Sequence, residues 1–195
     1  MQANVWSNPW APATWDKAGG VYPWRSENVS LSEGNLALNV SRGAAGSVQA
    51  NSDQLRKTGL FEVDATLPQG LPGLIIAPLY LYGEDAHEID FEIVGTKGLQ
   101  LAVHTGSRFN AFNHLIPGDF SGRRRFAIRY VAGEEISWLV DDAVIRTLRP
   151  AELASTFPFH ALKPYAEIWP TRSVEWAGPW RHRDTRMILH GYRLT

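Results

Sequence analysis

The 195-residue chain is predicted to fold as an all-β sandwich of two antiparallel sheets. Three observations predict it. Period-2 alternation of apolar and polar residues recurs along the sequence, helical periodicity is nearly absent, and turn signals separate the alternating runs at short intervals. Gly (17) and Pro (12) are spread over the whole length and do not gather in a linker. With no internal repeat and no low-complexity tract, residues 1–195 read as a single domain.

The predicted strands follow in order. Asn35–Ser41 comes after the turn Ser32-Glu-Gly34, and Leu60–Leu67 is the next alternating run. Leu74–Tyr82 follows Pro72-Gly73; Ile75, Ala77, Leu79 and Leu81 are assigned to the core, and Tyr80 and Tyr82 to the opposite face. His87–Val94 alternates strictly. Gly95-Thr-Lys-Gly98 leads into Leu99–His104, whose Leu99, Leu101 and Val103 face inward and whose Gln100 and His104 face outward. After Pro117-Gly118-Asp119 come Arg125–Val131 and, past Gly133, Glu135–Val140, where Trp138 between Ile136 and Val140 reads as core. Asp141-Asp142 turns the chain into Val144–Leu148, and a short helical turn is expected near Pro150–Leu153. In Leu162–Trp169, Ala166 and Ile168 are inward and Tyr165, Glu167 and Trp169 outward; Arg186–Leu194 closes the series.

Composition removes several classes of function. The net charge of −1 argues against a nucleic-acid partner, because counterion release needs a clear excess of cations. Without Cys there is no disulfide scaffold, thiolate-held zinc or thiol nucleophile. The remaining histidines show no metal-ligand spacing, so neither a metal nor another cofactor is expected. No apolar run approaches the length of a membrane span. The opening Met1-Gln-Ala-Asn-Val-Trp6 lacks the basic region and apolar run of a signal peptide, which fits either an internal protein or one whose leader is gone. The aromatic residues point the other way. Eight Trp exceed what a core of this size requires, and an excess marks a surface that stacks flat ligands.

His87-Glu-Ile-Asp-Phe-Glu-Ile-Val94 carries the chemistry. Ile89, Phe91 and Ile93 share one face, and Glu88, Asp90 and Glu92 share the other. A solvated edge strand is the bland reading. Like charges on one strand face repel, and Asp and Glu are poor strand formers, so the pattern is costly unless used. The apolar neighbouring strands also place this one centrally. Residues four apart on a strand have Cα atoms roughly 13 Å apart. Side chains leaning inward bring their carboxyl groups to about 5–5.5 Å, the separation in a retaining glycosidase. Asp90 between them shares a proton with one, so an acid and a nucleophile coexist near neutral pH.

Glu88-Ile-Asp-Phe-Glu92 resembles the E-[ILV]-D-x-E strand of glycoside hydrolase family 16, which includes lichenases, laminarinases and plant xyloglucan transglycosylases. The spacing, with no extra residue before the last Glu, is similar to the lichenase and xyloglucan branch, whose strand has no bulge. The likeness extends to Thr14-Trp15-Asp16-Lys17-Ala18 with Asn35-Leu36-Ala37-Leu38, to Arg56-Lys-Thr-Gly-Leu-Phe-Glu-Val63 and to Ile136-Ser-Trp-Leu-Val-Asp-Asp142. It continues through Leu162-Lys-Pro-Tyr-Ala-Glu-Ile-Trp169 and Trp176-Ala-Gly178, in family order. The resemblance implies a concanavalin-like jelly roll with a concave substrate cleft. It further implies Glu88 as nucleophile, Asp90 as its assisting carboxyl group and Glu92 as general acid/base in a double displacement that retains anomeric configuration.

Parity then names the cleft. Tyr80, Tyr82, His104, Glu167 and Trp169 share the carboxylates' face, with Trp169 the sugar-stacking residue and His104 placed to hydrogen-bond a catalytic carboxyl. Trp176 is assigned to loop packing or ligand contact, Trp24 with Arg25 to one end of the groove, and Arg56 to sugar hydroxyls, the nucleophile or a structural ion pair. Several positions depart from lichenases: Ala86-His87 replaces Trp-Asp, Glu167 replaces Asn, His104 replaces Tyr, Gln54 replaces an acidic contact, and His190 stands where many bind calcium through Asp. The expected function is therefore a retaining endo-β-glycanase acting on a β-glucan or a glucose-rich bacterial exopolysaccharide. The alternatives are a transglycosylase and a carbohydrate-binding jelly roll, the latter having no need of three aligned acids. The expected partner is a polysaccharide, with no nucleic acid or membrane, and the chain is expected to act as a secreted or periplasmic monomer.

Overall fold

A computed structural model describes residues 10–16, 19–41, 43–106 and 108–195. Met1–Trp6, Lys17 and Ala18, which entered the sequence reading, lie outside the described residues. Fourteen strands occur among the described residues. In chain order they are β1 (Trp10–Pro12), β2 (Val29–Ser32), β3 (Asn35–Val40), β4 (Gly46–Ala50), β5 (Thr58–Leu67), β6 (Leu74–Gly83) and β7 (Glu88–Val94). The rest are β8 (Gly98–Thr105), β9 (Arg108–Pro117), β10 (Gly122–Val131), β11 (Glu135–Val140), β12 (Ala143–Leu148), β13 (Leu162–Pro170) and β14 (Thr185–Leu194). They form two antiparallel sheets, ordered β1-β4-β13-β6-β7-β8-β9 and β12-β11-β10-β5-β14-β3-β2. A one-turn helix, α1 (Val174–Ala177), and four 3-10 turns, one of them the expected turn at Pro150–Glu152, complete the described secondary structure.

The inner faces meet as alternation requires. Phe61, Val63, Phe126, Ile128 and Trp138 from one sheet pack against Leu81, Ile89, Phe91, Leu101, Val103 and Ile168 from the other, all fully buried. Each such side chain contributes about 1.5–3 kcal/mol of transfer free energy. Phe91 meets Phe126 edge-on with centroids 5.4 Å apart, which ties the acidic strand to the opposite sheet. Trp138 is 0 % exposed and its indole N–H donates across the core to the Asp90 carbonyl at 3.0 Å. The strand bearing the carboxylates is thereby anchored from beneath.

Hairpin turns fall where turn residues predicted them. Glu33 and Gly34 have φ of 52° and 76°, and Asp141 and Asp142 have 50° and 68°, the left-handed pair that a tight hairpin of twisted strands needs. The strands absent from the sequence reading are β1, β2, β4 and β9. The first two are short strands at sheet edges, and β4 is buried but built largely of small residues (Gly46, Ser47, Ala50). Strand β9 is an edge strand, exposed over much of its length, so its residues show no clean alternation.

One core assignment is corrected. The β6–β7 register shifts between Ile76 and Leu79, at Pro78, which has no N–H to give to a ladder. The bulge reverses parity upstream of it. Leu74 and Ile76 join the main core in place of Ile75 and Ala77. Ile75 instead packs with Trp24 and Trp169, and Ala77 with Tyr80 and Tyr165, on the cleft side.

The Arg excess has a structural use on the outer face of the second sheet. Arg123 forms a two-pronged pair with Asp64 at 3.0 and 2.8 Å and Arg125 pairs with Asp142, while Arg124, in phase with the core residues, reaches Asp141 at 3.1 Å from the sheet's end. Arg129 and Arg149 share Glu135, and Arg193 pairs with Glu62. Exposed pairs contribute about 0–1 kcal/mol each.

The Trp138→Phe substitution tests the anchor. It keeps most of the apolar volume but leaves the Asp90 carbonyl without its buried donor. Urea denaturation is expected to show a loss of about 1–3 kcal/mol, with activity falling alongside stability.

Candidate active site

Strand β7 runs between β6 and β8 near the middle of its sheet. It pairs with β8 without a bulge, setting Glu88 opposite His104, Asp90 opposite Ala102 and Glu92 opposite Gln100. On its other flank Tyr82 faces Glu88 and Tyr80 faces Asp90. Strand β13 continues the face with Tyr165 opposite Tyr80, then Glu167 and Trp169. The structure thus brings Glu88, Asp90, Glu92, Tyr80, Tyr82, His104, Glu167 and Trp169 onto one surface, as parity predicted.

Hydrogen bonds fix the protons. The Asn110 backbone N–H donates to His104 Nδ1 at 2.8 Å. That nitrogen must therefore be unprotonated, so a neutral His104 carries its hydrogen on Nε2. Nε2 lies 3.2 Å from Asp90 Oδ2, and Asp90, only 3 % exposed, also shares a hydrogen bond with Glu88. At the other end of the strand, the Trp176 indole N–H donates to Gln100 Oε1 at 3.0 Å. This turns the Gln100 amide so that Nε2 donates to Glu92 Oε2 at 2.9 Å. A proton on Glu92 therefore belongs on its other oxygen, the one free to meet a substrate.

Electrostatics work in the same direction. Burial, then repulsion from Asp90, pushes the Glu88 carboxyl up to about 9. Burial also holds Asp90 above the usual carboxylate range. Glu92 is raised by burial and by the three neighbouring acids. Glu167 is a fourth member, pushed up to about 8 by burial and by Glu88, while the Tyr80 hydroxyl donates to it at 3.4 Å. His104 is lowered by burial, in keeping with the neutral ring that its Nδ1 partner requires. All four carboxyls are thus shifted in the direction that favours keeping a proton.

One ligand atom from each of Glu88, Asp90 and His104 lies within 4.8 Å of the others, so these described residues have the spacing to approach a cation. A metal needs deprotonated carboxylates. On this face a cation would have to displace the protons that burial favours on Glu88 and Asp90. His190, at the position of calcium-binding Asp in the resemblance, has ring nitrogens 2.7 Å from Thr66 Oγ1 and 3.1 Å from Asn35 Oδ1.

The flanking aromatics are arranged differently from the sequence reading. Trp24 does not form an open end of the groove. It is 4 % exposed and packs against Trp169 with centroids 5.4 Å apart, so it supports that ring from below. Trp169 faces the cleft side but is 9 % exposed, with Trp176 on α1 6.1 Å away. Tyr80 stacks on Tyr165 at 5.1 Å, and the half-exposed Tyr82 meets Tyr165 edge-on. Arg56 is exposed at the end of the sheet, where Nη1 donates to the carbonyls of Asp53 and Leu55. Its contacts with the protein are made there and not with the carboxyl face. His87 is buried between Phe159 and His160, behind the strand's first Glu. Gln100 and Tyr165 were legible by parity, but Asn110 and its bond to His104 depend on β9, the edge strand whose pattern is silent.

Three carboxyl groups, two of them sharing a hydrogen bond, therefore line up on one face of a β-sandwich. The comparisons with known proteins agree. The sequence model of glycosyl hydrolases family 16 matches residues 17–187. A Bacillus licheniformis β-glucanase superposes with a TM-score of 0.82 at 20 % identity, covering 96 % of this chain and 92 % of that one. A lichenase derived from a mouse hindgut metagenome gives 0.79 at 22 % identity, with 94 % and 91 % covered. The Crh-like protein CRH11 of Candida albicans is 28 % identical over 117 residues, which are 53 % of this chain and 25 % of that protein. The chain therefore spans about a quarter of the length of that curated relative. The solved structures establish the jelly-roll fold, and the family match establishes membership: the chain belongs to glycosyl hydrolases family 16, and so is a glycoside hydrolase by family.

The charge state of Glu167 is open to measurement. A carboxyl near 4.5 when unfolded and about 8 when folded binds its proton more tightly in the native state. Its contribution to stability is full below the unfolded value, declines as pH rises between the two values and is gone above about 8. The Glu167→Gln variant cannot ionise. Its thermal midpoint is expected to gain on wild type by a few degrees from pH 5 to pH 8, followed by calorimetry.

Proposed function

We propose that this chain is a retaining endo-β-glycanase cleaving internal bonds of a β-glucan or a glucose-rich bacterial exopolysaccharide. The observation that carries the reading is the row Glu88, Asp90 and Glu92 on one face of β7, with Glu88 hydrogen-bonded to Asp90 and Gln100 donating to Glu92. Glu88 and Asp90 share a hydrogen bond, and the reaction requires its proton to pass to Asp90 as substrate is attacked, with His104 Nε2 3.2 Å from Asp90 Oδ2 on the far side. Glu88 is then a carboxylate directed at the anomeric carbon. Glu92, held protonated and oriented by Gln100, gives its proton to the glycosidic oxygen as the bond to the leaving sugar breaks. A covalent glycosyl-Glu88 ester results. Glu92, now ionised, takes a proton from water, whose oxygen attacks the same carbon and releases Glu88. Two inversions retain configuration. Another sugar hydroxyl in place of water gives transglycosylation by the same steps, so the two outcomes differ only in the acceptor.

Trp169, Trp176, Tyr80, Tyr82, Glu167 and Arg56 make up the proposed substrate contacts, Trp24 acting through Trp169. No helix among the described residues is long and apolar enough to cross a membrane. A polymeric substrate suits a secreted or periplasmic enzyme working as a monomer, with no nucleic-acid or membrane partner.

Reducing-end release from lichenan, laminarin, xyloglucan, xylan and acidic exopolysaccharides is expected to show cleavage of at least one β-linked glucose polymer. Activity confined to galactans overturns the substrate assignment. Glu88→Gln is expected to lose activity by at least a thousandfold. In Glu88→Ala, azide restores turnover of an activated aryl glycoside to give the α-glycosyl azide, and in Glu92→Ala the β-azide. The two anomers, read by NMR, distinguish nucleophile from acid/base. Undiminished hydrolysis by Glu88→Gln sinks the assignment.

A further inference from the structure

Phe109, on edge strand β9, is 78 % exposed. Single exposed apolar side chains are ordinary. What separates this one is that its plane is fixed. The ring lies 4.2 Å from the His104 ring at an interplanar angle of 13°. His104 is itself held by the Asn110 N–H, with Nε2 3.2 Å from Asp90 Oδ2. The β8–β9 register shifts between Val103 and Thr105, and Asn110 adopts a φ of 51°, a local irregularity of the kind that re-aims side chains at sheet edges. One face of Phe109 is covered by imidazole and the other is open.

Its position relative to the tryptophans gives the feature meaning. Trp169 lies on β13, two strands to one side of β7, level with Val94; Phe109 lies two strands to the other side, beside His104 and so level with Glu88. With strands about 4.8 Å apart and about 3.3 Å rise per residue, the two aromatics are roughly 25–30 Å apart on a diagonal of the face. The Glu88–Asp90–Glu92 row lies between them. Only an oligosaccharide crossing the catalytic row reaches both.

We propose that Phe109 is a sugar-stacking platform, taking the C–H face of a pyranose on the opposite side of the scissile bond from the sugars nearest Trp169. The proposal rests on the glycanase reading for where the bond is cut. The platform is apolar and flat, so it selects for a ring with axial hydrogens on one face and does not depend on the position of any one hydroxyl.

The test compares two substrates in wild type and Phe109→Ala. One is the polymer of the panel that wild type cleaves best. The other is the matching aryl oligoglycoside, whose small leaving group stops short of β9. Phe109→Ala is expected to lower kcat/KM on the polymer about tenfold, chiefly through KM, and to reduce the ratio of transfer to hydrolysis products. On the aryl glycoside the change is expected to stay within about twofold, and Phe109→Trp is expected to restore the polymer values. Unchanged polymer kinetics overturn the platform. So does an equal loss on both substrates, which would mean that Phe109 acts through His104 alone. Calorimetric binding of laminarin and lichenan hexasaccharides to Glu88→Gln, with and without Phe109→Ala, separates this proposal from the one beneath it. Phe109-dependent binding combined with a wild type that hydrolyses none of the panel sinks the catalytic reading and keeps the platform; hexasaccharide binding indifferent to Phe109 removes the platform and leaves catalysis untouched.

Discussion

Three acids on one face of a strand cannot all carry charge when water is scarce, and the architecture around β7 follows from that constraint. Burial penalises each charge and each neighbour adds to the penalty, so protons are retained. The hydrogen bonds then decide where they go. Asp90 lies between Glu88, with which it shares a hydrogen bond, and His104, whose Nε2 approaches its Oδ2 to 3.2 Å. Glu92 is read by one amide, whose orientation is set by an indole behind it. None of these groups is exotic. For His104 and Gln100 the partner on one atom decides what the other atom can do.

The same constraint explains the distribution of charge over the molecule. The cleft holds four carboxyl groups and no arginine contact with them among the described residues, so its acids are managed as neutral groups. The outer face of the opposite sheet does the reverse: Arg123, Arg125, Arg129 and Arg193 meet Asp64, Asp142, Glu135 and Glu62 in solvent, where charge is inexpensive to keep. The net charge of −1 is the sum of these two regimes and describes neither.

Much of this was legible in the sequence because a strand's period is two. Alternation placed Glu88, Asp90 and Glu92 on one face and predicted that Tyr80, His104, Glu167 and Trp169 would join them, and it assigned Trp138 to the core. It failed where the period breaks. Pro78 sits at a bulge in β6, so Ile75 and Ala77 were given to the wrong side. It was also silent where burial is uneven: β9 lies at an edge, and with it went Phe109 and Asn110. Trp24 shows a third kind of gap, since no local pattern separates a tryptophan that touches substrate from one that props up another tryptophan.

The bulge in β6 also divides labour along one strand. Downstream of it, Leu79 and Leu81 serve the core while Tyr80 and Tyr82 stand beside Glu88 and Asp90. Upstream, the parity is reversed and Ile75 underlies the tryptophan cluster. A continuous strand would couple these ends, since any insertion or slip at one would turn over every side chain at the other. With an unpaired step between them, the tryptophan end of the groove can be rebuilt for a different sugar while the register of the reacting end stays as it is.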